Sequence, residues 1–316
     1  MQPRIVVVGA GHLGNYHLAK LAAQPACQLV ALVEPNEERR AAAAARYGVP
    51  TYASLKACTI VADAAIIATP TSDHVAVAEA ALAQGWDILV EKPLARTHAA
   101  ALPLVQAAAA AGRLLQVGHV ERFNPAVEAA VEALAQDPPR YIVAERLGPF
   151  SGRSVDVDVI LDLMIHDLDL VAALVPAELV EVRAIGMPVL TDAIDMASAR
   201  LRFADGTVAQ LSAGRASFDA SRKLRFFCAR RYMSVDCAQR EVKSVVRVPG
   251  SGDWPEISGE SLPVRNSDPL AAQDADFIRC VRDRQPPRID GQAALRALHL
   301  AERVKAAIAE AAAQQG

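Results

Sequence analysis

The sequence predicts an α/β protein in two parts. Residues 1–120 read as a doubly wound, Rossmann-type dinucleotide-binding domain, and residues 121–316 as an α+β domain on a large open, mostly antiparallel sheet. Three observations predict this. Short β-branched runs alternate with Ala-rich helical stretches through the first 120 residues, the pattern of βαβ units and a parallel sheet. The glycine spacing "GAGHLG" follows the first run and opens the first helical stretch. From 179 to 248 the chain turns strand-rich, with turn residues between the runs. At 316 residues the chain also exceeds what one hydrophobic core ordinarily organises.

In order, strands are expected at "RIVVVGA" (4–10), "QLVALVE" (28–34), "AAIIAT" (64–69), "DILVEK" (87–92) and "LLQVGH" (114–119). Helices fill the gaps near 12–23, 36–47, 74–84 and 98–111. "NPAVEAAVEALAQD" is a helix with Asn124 as its cap and Pro125 at the first position. A strand near 140–146 and a helix over 158–174 open the second domain. "ARLRFADGTVAQLSA" is a hairpin turning at Asp205–Gly206. "PGSGDWPEISGESLP" (249–263) reads as a long loop, and helices near 269–283 and 290–312 close the chain, free to pack back on the first domain.

Composition excludes some functions. A net charge of −3 offers no basic field for nucleic acid. No apolar run is long enough to span a bilayer, and "MQPRIVVVGAG" lacks the pattern of a signal peptide. Five scattered cysteines (Cys27, Cys58, Cys228, Cys237, Cys280) suit reduced thiols in a cytoplasmic protein. No residue spacing points to a metal site.

Gly9, Gly11 and Gly14 carry the GxGxxG spacing, with His12 and Leu13 in the loop they form. The first glycine permits the tight turn, the second lets backbone approach a pyrophosphate, and the third allows close helix–strand packing. Glu34 ends the second strand twenty residues after Gly14. A carboxylate there accepts from ribose hydroxyls and repels a 2′-phosphate, which favours NAD over NADP. Arg39 and Arg40, on the next helix, work against that preference.

The stretch "LDLMIHDLDL" raises a chemical question. On a helix, Leu161, Met164, Ile165 and Leu168 line one stripe, while Asp162 and His166 stack one turn apart on another. Such a pair is either a satisfied polar contact or a proton-transfer device.

Taken with GxGxxG, "IIATPTSDH" (66–74) and "VEKPLA" (90–95), this Asp-x-x-x-His spacing resembles the Gfo/Idh/MocA family of nicotinamide-dependent sugar oxidoreductases over the whole chain. The resemblance implies that Thr69, Pro70 and His74 shape the cofactor pocket. It implies that Glu91-Lys92-Pro93 is the family's EKP motif, often with a cis bond before the proline, and that Lys92 sits beside the nicotinamide. It makes His166 the general base on a substrate hydroxyl, with Asp162 orienting substrate or imidazole. A Lys at that place stabilises developing charge on the reacting oxygen, and an imidazole beside a carboxylate suits reversible proton uptake.

"GHVERFNPA" paired with "DVILDLMIHDLDL" is similar to the subgroup of UDP-N-acetylglucosamine 3-dehydrogenases, which act ahead of an amination step in lipid A precursor synthesis. A sugar-nucleotide substrate is therefore expected, with His119, Arg122, Asn124, Arg146 and Arg153 as candidate contacts. Arg suits the diphosphate because its geometry is bidentate. Trp254 either covers the substrate or pins its loop. The chain departs from many family members in having "SVDVDVILD" where they have a Gly-rich turn.

Three rival readings stay open. One is an NAD-dependent glycosidase or lyase that oxidises the sugar transiently, with Glu121 or Asp156 as further acid or base. Another is a dehydrogenase of a different sugar or cyclitol, and the third is a sensor without turnover. The expected assembly is a homodimer or homotetramer through the open sheet, whose outer face has few helices left to cover it.

Overall fold

The structure, a computed structural model, describes residues 1–150, 152, 157–248 and 256–314. Arg153, Asp156 and Trp254 lie outside the described residues. By compactness the chain divides into two units: 1–120 with 268–295, and 121–267 with 296–316.

The first unit runs β1 (Arg4–Val8), α1 (His12–Ala22), β2 (Gln28–Val33), α2 (Glu37–Tyr47), β3 (Thr51–Tyr52), β4 (Ala64–Ile67), α3 (His74–Ala83), β5 (Asp87–Glu91), α4 (His98–Ala110) and β6 (Leu115–Gly118). Its six strands are all parallel, in the order β3-β2-β1-β4-β5-β6. Strand order reverses between β1 and β4, and open parallel sheets bind ligands beyond the carboxyl ends of strands at such a point. The expected strands and helices are all present. The two-residue β3 is an addition that no run of that length announces. Strands β1, β4, β5 and β6 are buried on both faces, which is why they read as continuous apolar runs.

The second unit begins with α5 (Pro125–Leu134) and β7 (Tyr141–Leu147). A π-helical turn at Ile160–Met164 leads into α6 (Ile165–Leu174). Strands β8 (Leu179–Met187), β9 (Met196–Phe203), β10 (Val208–Gly214), β11 (Ser221–Phe227), β12 (Arg231–Asp236), β13 (Glu241–Val248) and β14 (Glu256–Ser261) follow. The eight strands order as β14-β13-β12-β11-β7-β10-β9-β8. Among the described residues, the interior β7–β10 pairing is parallel and the other pairings of this sheet are antiparallel. Inward positions such as Ile142, Leu201, Leu211, Phe226 and Val235 are buried, and polar residues alternate with them.

Two expectations need correction. Residues 256–261, read as loop, form edge strand β14, paired with β13. Every β14 residue is exposed, so it is held by backbone pairing with β13 and by Glu260 reaching Arg231 at 3.5 Å, and no apolar alternation marks it. The helix expected over 158–174 is two helical forms, because its first turn widens to π geometry. Near the chain's end, α7 (Pro269–Asp283) belongs to the first unit. Its Phe277, Ile278 and Val281 share a core with Ile5, Leu18 and Leu32. The division between units falls within α8 (Gly291–Ala313). Among the described residues, no helix is long and apolar enough to cross a membrane.

Candidate active site

The glycine loop leaves β1 at Gly9, whose φ of +99° is one that a side chain rarely tolerates. A Cβ there would lie 2.6 Å from the Ala68 carbonyl oxygen, and a Cβ at Gly14 would overlap the Gly9 carbonyl. At Gly11 the corresponding space is open. Gly11 is also the N-cap of α1 and offers no side-chain cap, and the first turn carries no acidic residue. Bare N–H groups and positive potential at a helix start fit a pyrophosphate. His12 and Leu13 are exposed at that start, with the His12 ring edge-on to Tyr16 at 4.7 Å.

Glu34 is buried, and its carboxylate accepts from the Ala10 N–H at 2.6 Å and the Asn36 N–H at 2.9 Å. The loop therefore fixes the carboxylate, whose remaining lone pairs stay available to a ribose. Arg40 is tied back, donating to the Glu34 and Pro35 carbonyls at 2.9 and 3.1 Å.

Beyond β4, the Thr69 hydroxyl is buried and finds no hydrogen-bond partner among the described residues. An orphaned hydroxyl beside the glycine loop is what a bound dinucleotide would satisfy. Pro70 is exposed, ahead of a short 3-10 turn at Thr71–Asp73. His74, expected to help shape the cofactor pocket, is buried between two carbonyls, Pro93 O at 2.8 Å and Thr69 O at 3.0 Å. Burial pushes its pKa down, against both carbonyls. The ring staples the loop after β4 to the loop after β5. Lys92 lies in that second loop, half-buried, and its bond to Pro93 is cis.

Glu91, expected among the cofactor contacts, ends β5. Its side chain is buried, with Oε1 3.1 Å from His17 Nε2 and accepting from Gln273 Nε2 at 3.1 Å. His17 Nδ1 lies 2.9 Å from Asp274 Oδ1. Burial disfavours a charged His17, yet Asp274 and Glu91 outweigh it and raise its pKa to about 10. Burial raises Asp274 despite the pull of His17, while at Glu91 burial is outweighed by His17 and Gln273, which bring it below its ordinary value. Lys92 acts on Glu91, and Asp268 on Asp274, by charge alone.

A stability prediction follows from this network. His17 binds its proton more tightly folded than unfolded, so its contribution is complete below about pH 6.5 and is lost as pH rises through about 10. Tm is expected to fall across that window, and more steeply for wild type than for His17→Gln. Calorimetric scans giving parallel curves for the two proteins would contradict it.

In the second unit, Leu161, Met164, Ile165 and Leu168 are buried, while Asp162 and His166 are half-buried on the other face. The two remaining acids of the stretch are anchors. Asp167 takes Arg146 in a bidentate pair at 2.9 and 3.2 Å, and Asp169 takes Arg122 at 2.7 and 3.2 Å. Arg146 also donates to Glu121 at 3.0 Å. Asn124 caps α5 through Ala126 N–H at 3.1 Å, and donates to Glu121 at 3.1 Å and the Cys237 carbonyl at 3.0 Å. Arg122, Asn124 and Arg146, expected at the sugar nucleotide, are thus taken up inside the unit, where burial rewards paired charge. Glu121, the rival acid for a hydrolase, is buried in the same network. His119 is buried just beyond β6 in the first unit. Arg153 lies outside the described residues.

His17, Asp274 and Gln273 were not among the expected site residues. His17 sits three positions after Gly14, on the core face of α1, which is the one signal that pointed to it.

The profile described as "Oxidoreductase family, NAD-binding Rossmann fold" matches residues 3–119, and that of the GFO/IDH/MocA C-terminal domain matches 146–233. UDP-N-acetylglucosamine 3-dehydrogenase of Acidithiobacillus ferrooxidans is 40% identical over 308 residues, 96% of this chain and 97% of that protein. The NAD(+)-dependent scyllo-inositol 2-dehydrogenase of Bacillus subtilis is 29% identical over 68% of each chain. A solved structure of the Acidithiobacillus enzyme superposes with a TM-score of 0.91 at 39% identity, covering 98% of both chains. Levoglucosan dehydrogenase in complex with NADH and L-sorbose superposes at 0.86 over 98% of both chains, and at 19% identity it speaks to the fold alone.

Proposed function

This chain belongs to the Gfo/Idh/MocA oxidoreductase family, and from that premise we propose that it oxidises the 3-hydroxyl of the sugar in UDP-N-acetylglucosamine. It is an NAD-dependent dehydrogenase. The observation that carries the substrate is the 40% identity to UDP-N-acetylglucosamine 3-dehydrogenase along nearly the full length of both proteins. The resulting ketone suits an amination step in lipid A precursor synthesis.

Gly9, Gly11 and Gly14 would hold the pyrophosphate, Glu34 the ribose, and Thr69 the remaining polar contact that its buried hydroxyl lacks. Bound NAD supplies the acceptor for the hydride of a carbinol C–H. The protein's own residues do the rest. His166 takes the hydroxyl proton as the C=O bond forms, and Asp162 orients the imidazole or the substrate. Lys92 donates to the reacting oxygen and stabilises its developing negative charge. The burial of Glu121 against Arg146 and Asn124 leaves the glycosidase reading without that acid.

The test is a panel of UDP-sugars, with NADH followed by absorbance and products weighed by mass spectrometry. The expected product is two hydrogens lighter than UDP-N-acetylglucosamine, formed one for one with NADH. Release of the sugar, or turnover only of free sugars or cyclitols, would overturn the assignment.

Glu34 leads to a cofactor prediction. Its fixed carboxylate repels a 2′-phosphate, so NAD is expected to bind more tightly than NADP, and Glu34→Ala to narrow the gap. Calorimetric titration showing NADP equal or tighter in the wild type would refute this.

Assembly follows from the second unit's sheet. Ile185, Met187, Phe227, Val245 and Ile257 are exposed on its outer face. Tyr141, Phe227 and Tyr232 form a row of ring contacts there, at 5.5 and 4.9 Å. An apolar face of this kind supports a homodimer, or a dimer of dimers, formed through the sheet. Sedimentation showing only monomer at micromolar concentration would contradict it.

A further inference from the structure

Within the first unit, one imidazole joins three elements. His17 lies on α1, the helix whose N-terminus forms the phosphate loop, and its two ring nitrogens face Glu91 at the end of β5 and Asp274 on α7. Glu91 directly precedes Lys92. We propose that His17 is a positioning residue: gripped by Glu91 and Asp274, it sets where Lys92 stands relative to the phosphate loop. This rests on the reading of Lys92 as the donor to the reacting oxygen.

Three features support it. First, the contacts are directional at every joint. Oε1 of Glu91 also accepts from Gln273, whose carbonyl takes Gln116 from β6 at 3.3 Å. Second, room for the Glu91 carboxylate depends on Gly118, where any Cβ would overlap it. Third, apolar packing would join these elements more simply. Leu18 and Leu21 on α1 share a core with Phe277 and Ile278 on α7, and apolar replacements of buried ion groups are often as stable or more so. What a charged, hydrogen-bonded joint adds is a defined angle and height for the strand end. A reacting group displaced by about 1 Å loses on the order of 10²-fold in rate, so that definition matters at Lys92.

The experiment compares wild type, His17→Gln, Lys92→Met and the double variant, each measured well below its Tm. For His17→Gln, kcat is expected to fall about 10- to 100-fold, while the Kd for NAD, read by calorimetry without substrate, stays within about threefold. In the Lys92→Met background the same change should cost no further turnover, because both act through one group. A lowered Tm with unchanged kcat would make the network structural only and overturn the proposal. So would losses that multiply in the double variant, or a Kd for NAD that rises in step with the lost turnover. Should His17→Gln not fold, the near-isosteric Asp274→Asn carries the same comparisons, with an expected loss of about three- to tenfold, and an unchanged kcat there overturns the proposal equally. If Lys92→Met alone keeps wild-type turnover, the reading of Lys92 fails and takes this inference with it. If Lys92→Met loses turnover and His17→Gln does not, only the positioning role falls.

Discussion

A His166→Asn protein is expected to fold, to bind NAD as wild type does, and to lose about 10²- to 10⁴-fold in turnover, the usual worth of a general base. The fold should survive because α6 is held from its other side. Leu161, Met164, Ile165 and Leu168 are buried, and Asp167 and Asp169 are locked to Arg146 and Arg122. His166 is half-buried and anchors none of these contacts. Single-turnover hydride transfer measured against pH separates the two readings of the stretch. Wild type should gain rate as the base loses its proton, and the variant should lack that limb. A His166→Asn enzyme within a few-fold of wild type would return Asp162 and His166 to the role of a structural pair.

Lys92→Met should give the second large effect, a loss of about 10²- to 10³-fold in kcat, as when one donor to a developing oxyanion is removed. Met keeps the length and apolar stem of the side chain and removes only the ammonium. The loop it sits in is held by His74 between Thr69 and Pro93, and by Glu91 beneath, so the backbone has no reason to move. The Kd for NAD is expected to stay within a few-fold. A variant that binds NAD poorly but turns over normally once saturated would make Lys92 a cofactor ligand instead.

Some of this is legible in the sequence because it depends on local rules. The parallel sheet follows from apolar runs alternating with helical stretches. The glycine loop follows from a turn that demands positive φ at Gly9 and a missing side chain at Gly14. The buried stripe of Leu161, Met164, Ile165 and Leu168 follows from helical periodicity, and it survives the π turn that starts the helix. Lys92 at a strand end follows from where β5 stops. Each of these is a property of a few neighbouring residues.

The tertiary structure decided what each charged side chain is for. In sequence, Arg122, Asn124 and Arg146 look like ligands for a diphosphate, and nothing in their spacing shows that Asp169, Glu121, the Cys237 carbonyl and Asp167 take them up. Glu91 reads as part of a cofactor motif, yet its carboxylate turns into the core to meet His17. His17 and Asp274 stand 257 positions apart and still share one hydrogen bond. A solvated, a ligand-facing and a buried paired charge are the same letter in a sequence. They differ in the dielectric around them and in the partner that the fold brings within 3 Å or so, and both are set by long-range packing.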